Sequence, residues 1–394
     1  MNPELWHTRP LLALASLAPV PLGAAWMAIA PQLPFLKGAR VPLAWFTWLA
    51  TRLAFGALIW GAMGHSGVDQ LAFFLPQAKH ALAGGVPYRD FASAYGPLFA
   101  PLLGLAVRLA GDAGPFALFL LADFVAWRAL AWSEGEASEA AWGWAALPMV
   151  WYFTVRYAQD EALGAMFVAL AWALARRDRN AFAGFVLGLG LVVTKPLFAL
   201  LALPFVLGSR RRVALLAGAA VPVALVYGAL LAWGAPVWQP LTLEGGNFGV
   251  GPTLWRVPVV LWHFDLGPAG WAVFLLIAAS GGVLLHRAKA GVADHAVWQY
   301  GAFAAFAPKF MPMYAVLWAP MLALWAADDP DRRGWLLLYG AALPLAWYLD
   351  SGPLQGLFGI GWQVVAIAGL FGVGLLALWP LRVMGGSPGA PSGR

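Results

Sequence analysis

Short runs of Lys and Arg punctuate an otherwise apolar chain: Lys37/Arg40, Arg176/Arg177/Arg179, Arg210/Arg211/Arg212, Arg287/Lys289, Arg332/Arg333 and Arg382. Basic loops of a membrane protein stay on the cytoplasmic side, so apolar spans between two such clusters must come in pairs. This rule constrains the fold more than any single hydropathy peak. A crossing takes about 20 apolar residues. Candidate spans are 11–31, 41–63, 115–132, 140–157, 160–175, 181–194, 197–208, 213–233, 268–286, 292–307, 311–327, 334–350 and 354–380. The later ones fall into the required pairs: 181–194 with 197–208, 213–233 with 268–286, 292–307 with 311–327, and 334–350 with 354–380.

Between Arg40 and Arg176 the number of crossings must also be even. The apolar piece 97–111, with Arg108 inside it, would make it odd. As a helix it reaches only about 22 Å, too short to cross comfortably. It reads as a juxtamembrane or re-entrant helix belonging to the loop before it.

Composition agrees. The chain of 394 residues is 62% hydrophobic and 11% charged, against about 25% charged in soluble domains. The 23 Trp and 24 Phe suit aromatic belts at the membrane interfaces. The expectation is an all-α polytopic membrane protein with about 11–13 transmembrane helices. The expected organisation is one transmembrane domain over 1–384, with long external loops at 64–111 and 234–267 and a disordered Gly/Pro/Ser-rich tail at 385–394. The run after Arg9 is too long for a signal peptide, is interrupted by Pro19 and Pro21, and reads as a membrane helix or hairpin. The absence of cysteine excludes disulfides and thiolate metal sites. The net charge of +6 comes mostly from helix-orienting loops and does not point to nucleic acid.

Chemistry concentrates in residues 64–97, GHSGVDQLAFFLPQAKHALAGGVPYRDFASAYGP. Ionisable groups beside a membrane domain are costly and mark functional sites by default. Asp69 has two readings: an N-cap of the short helix that follows, or a desolvated general base. Asp90 reads best as a structural partner of Arg89, with cation binding the alternative. Tyr88 and Tyr95 lie in proline-containing turns. Asp160 and Glu161 either cap the next helix or face the same cavity as Asp69. Lys195, in a Thr-Lys-Pro break, must snorkel outward or meet an anion. Lys309 is the same device in a second hairpin. The loop 241–256 has four glycines and contains Asn247; it is either a ligand-binding loop or a plain linker. The predicted external face also holds Lys79, Arg89, Arg108, Arg156 and Arg256. These cations are either scattered surface charge or a convergent site for a phosphate or diphosphate. No Walker A loop, Rossmann fingerprint or HExxH is present. The six His are dispersed, and His65 and His80 around Asp69 do not make a recognised metal spacing.

Asp69 followed by ALAGGVPYRDF and AYGPLFAPLLGL resembles the first external loop of the GT-C superfamily of membrane glycosyltransferases. The likeness is strongest to glycosyltransferase family 87 and related polyprenyl-phosphate-mannose-dependent mannosyltransferases. DEALGAMFVALAWALARRDRNAFAGFVLGLGLVVTKPLFALLALPFVL resembles that group's central hairpins, and FAPKFMPMYAVLWAPML its late helix. The resemblance covers roughly 41–330 and implies a GT-C-type bundle with juxtamembrane helices in the first long external loop. It implies an integral protein of the cell (plasma) membrane with its active site on the external face. There a sugar, mannose or another hexose, would pass from a polyprenyl-phosphate donor to a lipid or glycan acceptor with inversion. Asp69 would be the base. Lys195, Lys309, Arg256 and Arg89 would hold the donor phosphate. Tyr88, Asp90, Tyr95, Asp160, Glu161, Asn247 and Tyr314 would line the acceptor cavity. Partners would be the donor, the acceptor and membrane lipids, with no nucleic acid. Many relatives pair two acidic residues in this loop, whereas here Val68 precedes Asp69; no metal ligand is assigned, and a divalent cation stays open. Unlike the large oligosaccharyl- and arabinosyl-transferases, the chain carries no soluble C-terminal domain, and the segment 11–31 is an unusual addition. The competing function is a transporter or flippase for a lipid-linked glycan or small solute. Such proteins show internal repeats and midplane charges; here no clear repeat is visible, and Arg52 and Asp123 are the main charges inside spans.

Overall fold

The computed structural model describes residues 17–33, 39–63, 67, 69–245, 253–264, 268–351 and 362–385. Asn247, His65 and the tail 386–394 lie outside them. Among the described residues the fold is entirely helical, with one isolated bridge between Pro87 and Phe91 and no strand. Four helical stretches are long and apolar enough to cross a membrane: Arg40–Gly61, Phe99–Glu134, Arg212–Ala232 and Ala269–Arg287. Shorter apolar helices fill the remainder, among them Glu161–Ala175, Asn180–Val193 and Phe198–Gly208. Outward faces carry large apolar side chains such as Val213, Leu225, Leu276 and Leu370. Such a surface suits hydrocarbon better than water and is consistent with a helical membrane protein.

The core lies along Glu139–Ala146, Pro148–Arg156, Glu161–Ala175, Val292–Phe306 and Ala315–Ala327, whose side chains are almost all buried. The outer helices are buried on one side only.

Prolines set several boundaries. The expected single span 140–157 is instead two helices, Glu139–Ala146 and Pro148–Arg156, with Leu147 extended at ψ 117° between them. Pro148 disfavours a helical residue before it and has no N–H for the carbonyl of Trp144. Arg52 takes that role: its Nη2 donates to Trp144 O at 3.0 Å and its Nη1 to Ala145 O. The same guanidinium pairs with Asp123 at 3.0 and 3.2 Å, and Trp48 Nε1 donates to Asp123 Oδ2 at 2.7 Å. Arg52 and Asp123 are both fully buried. The two charges inside spans are therefore a structural tie between three helices. A π-helical turn, Ala50–Ala54, aims Arg52 inward.

Phe99–Ala110 is a separate helix that packs on Leu75–Leu82. Gly111, at φ 59°, breaks it from Gly114–Glu134. The 234–267 loop contains two short helices, Gln239–Gly245 and Arg256–Trp262.

The two ends of the bundle differ in chemistry. At one end Glu139 pairs with Arg40 at 2.7 Å and Arg333 at 2.9 Å, and Glu134 lies 3.6 Å from Arg176. At the other, where the helices 40–63 and Asn180–Val193 end, lies the cluster described next.

Candidate functional site

The break after Asn180–Val193 organises the site. Pro196 lacks the N–H that would satisfy Val192 O, and Leu98 N donates to that carbonyl at 2.9 Å. Gly96 N donates to Thr194 O at 2.7 Å. The 96–98 turn is thus docked on the Lys195 turn and carries Tyr95 with it. A Cβ on Gly96 would fall 2.5 Å from the Val192 carbonyl, so only glycine fits. Gly67, just upstream of Asp69, is constrained in the same way: a Cβ there would fall 2.3 Å from Tyr157 O.

Tyr157 leads into the second wall. Ala158 adopts φ 48°, uncommon for a residue with a Cβ, and the chain turns to present Gln159, Asp160 and Glu161. Gln159 Nε2 donates to Asp69 Oδ2 at 2.8 Å and to Tyr157 O at 3.2 Å. Asp69 makes no cap hydrogen bond to the π-helical turn Gln70–Phe74 that follows. Its carboxylate is half-buried at a cavity of about 540 Å³ lined also by Gln77, Ser93, Tyr95, Lys195, Lys309 and Tyr314. Asp160 likewise makes no cap bond to Glu161–Ala175.

Lys195 is the centre. Its Nζ lies 3.0 Å from Asp160 Oδ1 and 2.7 Å from Glu161 Oε1, and over the rings of Tyr95 and Tyr314 at 5.1 and 5.2 Å. Tyr95 OH donates to Asp160 Oδ1 at 3.3 Å. Of the two expectations for Lys195, snorkelling outward or meeting an anion, the structure has it meeting two carboxylates of the chain itself. Burial works against the ammonium, and the two carboxylates outweigh it, so Lys195 is held well above the ordinary lysine range. Burial, followed by the Glu161 charge, pushes Asp160 up to about 7 despite Lys195.

A second cavity of about 350 Å³ adjoins the first. It shares Lys195, Lys309 and Tyr314, and its other walls are apolar, including Leu200, Leu241, Trp271, Phe274 and Phe303. A chamber that holds the polar groups, with Phe73, Leu243, Met311 and Met313 also in its wall, therefore meets an almost wholly apolar slot at the two lysines.

No family model matches the chain, no curated protein matches its sequence, and no solved structure matches its fold.

The structure thus gathers Asp69, Tyr95, Lys195, Lys309 and Tyr314 around one cavity, whereas Asp160 and Glu161, expected to line it, are buried behind Lys195 and line neither cavity. It places the other named residues differently. Arg89 and Asp90 form an exposed ion pair at 3.0 Å. Asp90 also accepts from Val86 N at 2.7 Å, and Arg89 with that bond holds its carboxyl down to about 2. Tyr88 is buried, and its hydroxyl donates to Tyr95 O at 2.5 Å, which makes it a support for Tyr95. Arg256 opens the helix Arg256–Trp262 and lines neither cavity. Asn247 lies outside the described residues. Gln159, Gln77 and Ser93 were not anticipated. Ser93 Oγ donates to Gln77 Oε1 at 2.9 Å, and Ser93 N donates to Gln239 Oε1 at 3.0 Å. Only Gln159 carried a sequence signal, its place beside Asp160-Glu161. Among the described residues no three His, Asp or Glu side chains are grouped as a metal site.

Proposed function

We propose that this chain is an integral membrane glycosyltransferase of GT-C type that moves a hexose from a polyprenyl phosphate to a lipid or glycan hydroxyl. The observation that carries the reading is the junction of the polar chamber with the apolar slot at Lys195, Lys309 and Tyr314. A lipid-phosphate sugar has the matching order of groups: an apolar tail, an anionic link and a polar head. The tail takes the slot, the phosphate the lysines, and the sugar the chamber in front of Asp69.

Asp69 then acts as the base. Gln159 holds one carboxylate oxygen at 2.8 Å and leaves the group facing the chamber. As the acceptor hydroxyl attacks the anomeric carbon, its proton passes to Asp69. The bond from that carbon to the phosphate oxygen breaks, and the polyprenyl phosphate departs with the electron pair. In this reading Lys309, which lines both cavities, stabilises that developing charge. Lys195 must loosen from Asp160 or Glu161 to share it, and Asp160, whose carboxyl burial raises above the ordinary range, is the carboxylate that would release it on taking up a proton. Attack from the side opposite the phosphate inverts the anomeric centre.

The test is sugar transfer by purified protein from a panel of polyprenyl-phosphate sugars, wild type against Asp69→Asn. Transfer by wild type that disappears in the variant while donor binding persists supports the reading. No turnover with any donor, together with saturable donor binding by both proteins, would make the chain a carrier instead.

A further inference from the structure

The bundle end remote from Asp69 holds a cavity of about 760 Å³ that the catalytic reading does not use. It lies where Phe198–Gly208 ends, Arg212–Ala232 begins and Pro268–Arg287 ends. The first of these helices starts beside Lys195, so the cavity is about 16 Å, one helix length, from the candidate site. Its wall contains Arg210, Arg211, Arg212, His286 and Lys289, and among the described residues no carboxylate lines it.

This separates it from the other basic turns. Arg40 and Arg333 are paired with Glu139, Arg176 faces Glu134, and Arg332 lies 3.1 Å from Asp329. Charge that merely orients helices needs no cavity and is readily neutralised by neighbouring carboxylates. Here four permanent cations surround a concave space. Arg212 braces the turn: its Nη2 donates to Leu207 O at 3.2 Å and its Nε to Ser209 O at 3.1 Å, with the His286 ring 3.3 Å from Nη2. Arg212, Arg210, Arg211 and Lys289 are all exposed. The first turn of Arg212–Ala232 adds the positive end of its dipole.

The border of the cavity identifies the occupant. Val213, in its wall, is 82% exposed, and Leu216, Val283 and Leu284 on the two flanking helices also face outward. A free phosphate has no use for this apolar margin. An anionic phospholipid has: its phosphate and headgroup fill the basic cavity while its acyl chains lie along the helix faces. We infer that this cavity is a binding site for an anionic phospholipid. The inference is independent of the transferase reading.

The test uses the full-length protein in detergent and native mass spectrometry with dioleoyl-phosphatidylglycerol, dioleoyl-phosphatidylcholine and inorganic phosphate as separate probes. The triple variant Arg210→Gln/Arg211→Gln/Lys289→Gln spares Arg212, which caps backbone carbonyls. A second triple, Arg176→Gln/Arg177→Gln/Arg179→Gln, removes equal charge from another basic turn, and Lys289→Gln alone is a milder change at an exposed position. The expected result is phosphatidylglycerol bound about tenfold tighter than phosphatidylcholine, with that preference lost in the first triple, reduced in Lys289→Gln and kept in the second triple. Equal binding of the two lipids, or equal loss in both triples, overturns the inference. Phosphate binding that depends on the cavity residues, without any phosphatidylglycerol preference, would assign the cavity to a free anion and overturn the lipid occupant.

Discussion

Lys195→Met tests the charge arrangement at the centre of the site. The ammonium serves carboxylates at 3.0 and 2.7 Å, and Asp160 and Glu161 are only 2% and 1% exposed. Removing one partner of a buried ion pair costs about 3–5 kcal/mol. The size here depends on pH because Asp160 is pushed up to about 7, first by burial and then by the Glu161 charge, with Lys195 opposing both. Below that pH Asp160 carries a proton, and the variant strands only the Glu161 charge. Above it, wild type releases the Asp160 proton, whereas the variant, lacking the ammonium, retains it. The folded variant then holds one more proton than folded wild type, so its relative stability falls by up to about 1.4 kcal/mol per pH unit. The penalty, about 3–5 kcal/mol, should be smallest at pH 6 and grow as pH rises through the Asp160 titration. In wild type the raised Asp160 works the same way: its contribution is full below the usual carboxylate range and is lost as pH climbs towards 7. The assay is unfolding of purified protein in one detergent at pH 6, 7, 8 and 9. Lys195→Met/Glu161→Gln should recover at least half the loss at pH 6. A penalty that does not change with pH, or a double variant no more stable than the single, refutes the reasoning.

Asp69→Asn should lower transfer by about 10²–10⁴-fold, the usual share of a general base; Gln159→Leu should lower kcat less and leave donor binding unchanged, which steady-state kinetics would show. Gly96→Ala drives a methyl group to 2.5 Å from the Val192 carbonyl and should destabilise by about 1–3 kcal/mol; an unchanged melting curve would contradict that close approach. Asp123→Leu strands the Arg52 guanidinium and should cost about 3–5 kcal/mol, and Arg52→Met/Asp123→Leu should be more stable than the single variant in chemical unfolding. Because the chain has no cysteine, Ala83→Cys and Arg179→Cys test orientation with an impermeant thiol reagent: the first should label from outside intact cells and the second should not.

What the sequence makes legible is where helices stop; what it hides is which faces meet. Pro196 marks a break that composition alone can place, and the span list matches most helix ends, but the break at Pro148 falls inside the expected single span 140–157. The consequences of those breaks were not readable. The carbonyl that Pro148 orphans is satisfied by Arg52, 92 positions away, and the one that Pro196 orphans by the Leu98 amide. Nothing local announces either partner. Rotation is the deeper obstacle. In a helix apolar on all sides, periodicity carries no phase, and the π-helical turns Ala50–Ala54 and Gln70–Phe74 shift the phase again on both sides of the loop before Asp69. That is why Asp69 looked as much like a cap as a base, and why Lys195 looked free to seek an outside anion. Its choice was fixed by the turn at Ala158, which brings Asp160 and Glu161 beneath it. Arg89 shows the converse: it sits in the most motif-like stretch of the chain, yet its nearest anion is the adjacent Asp90, so the motif there builds a loop. Proximity in sequence located the loop, and pairing across helices decided which of its charges reach the cavity.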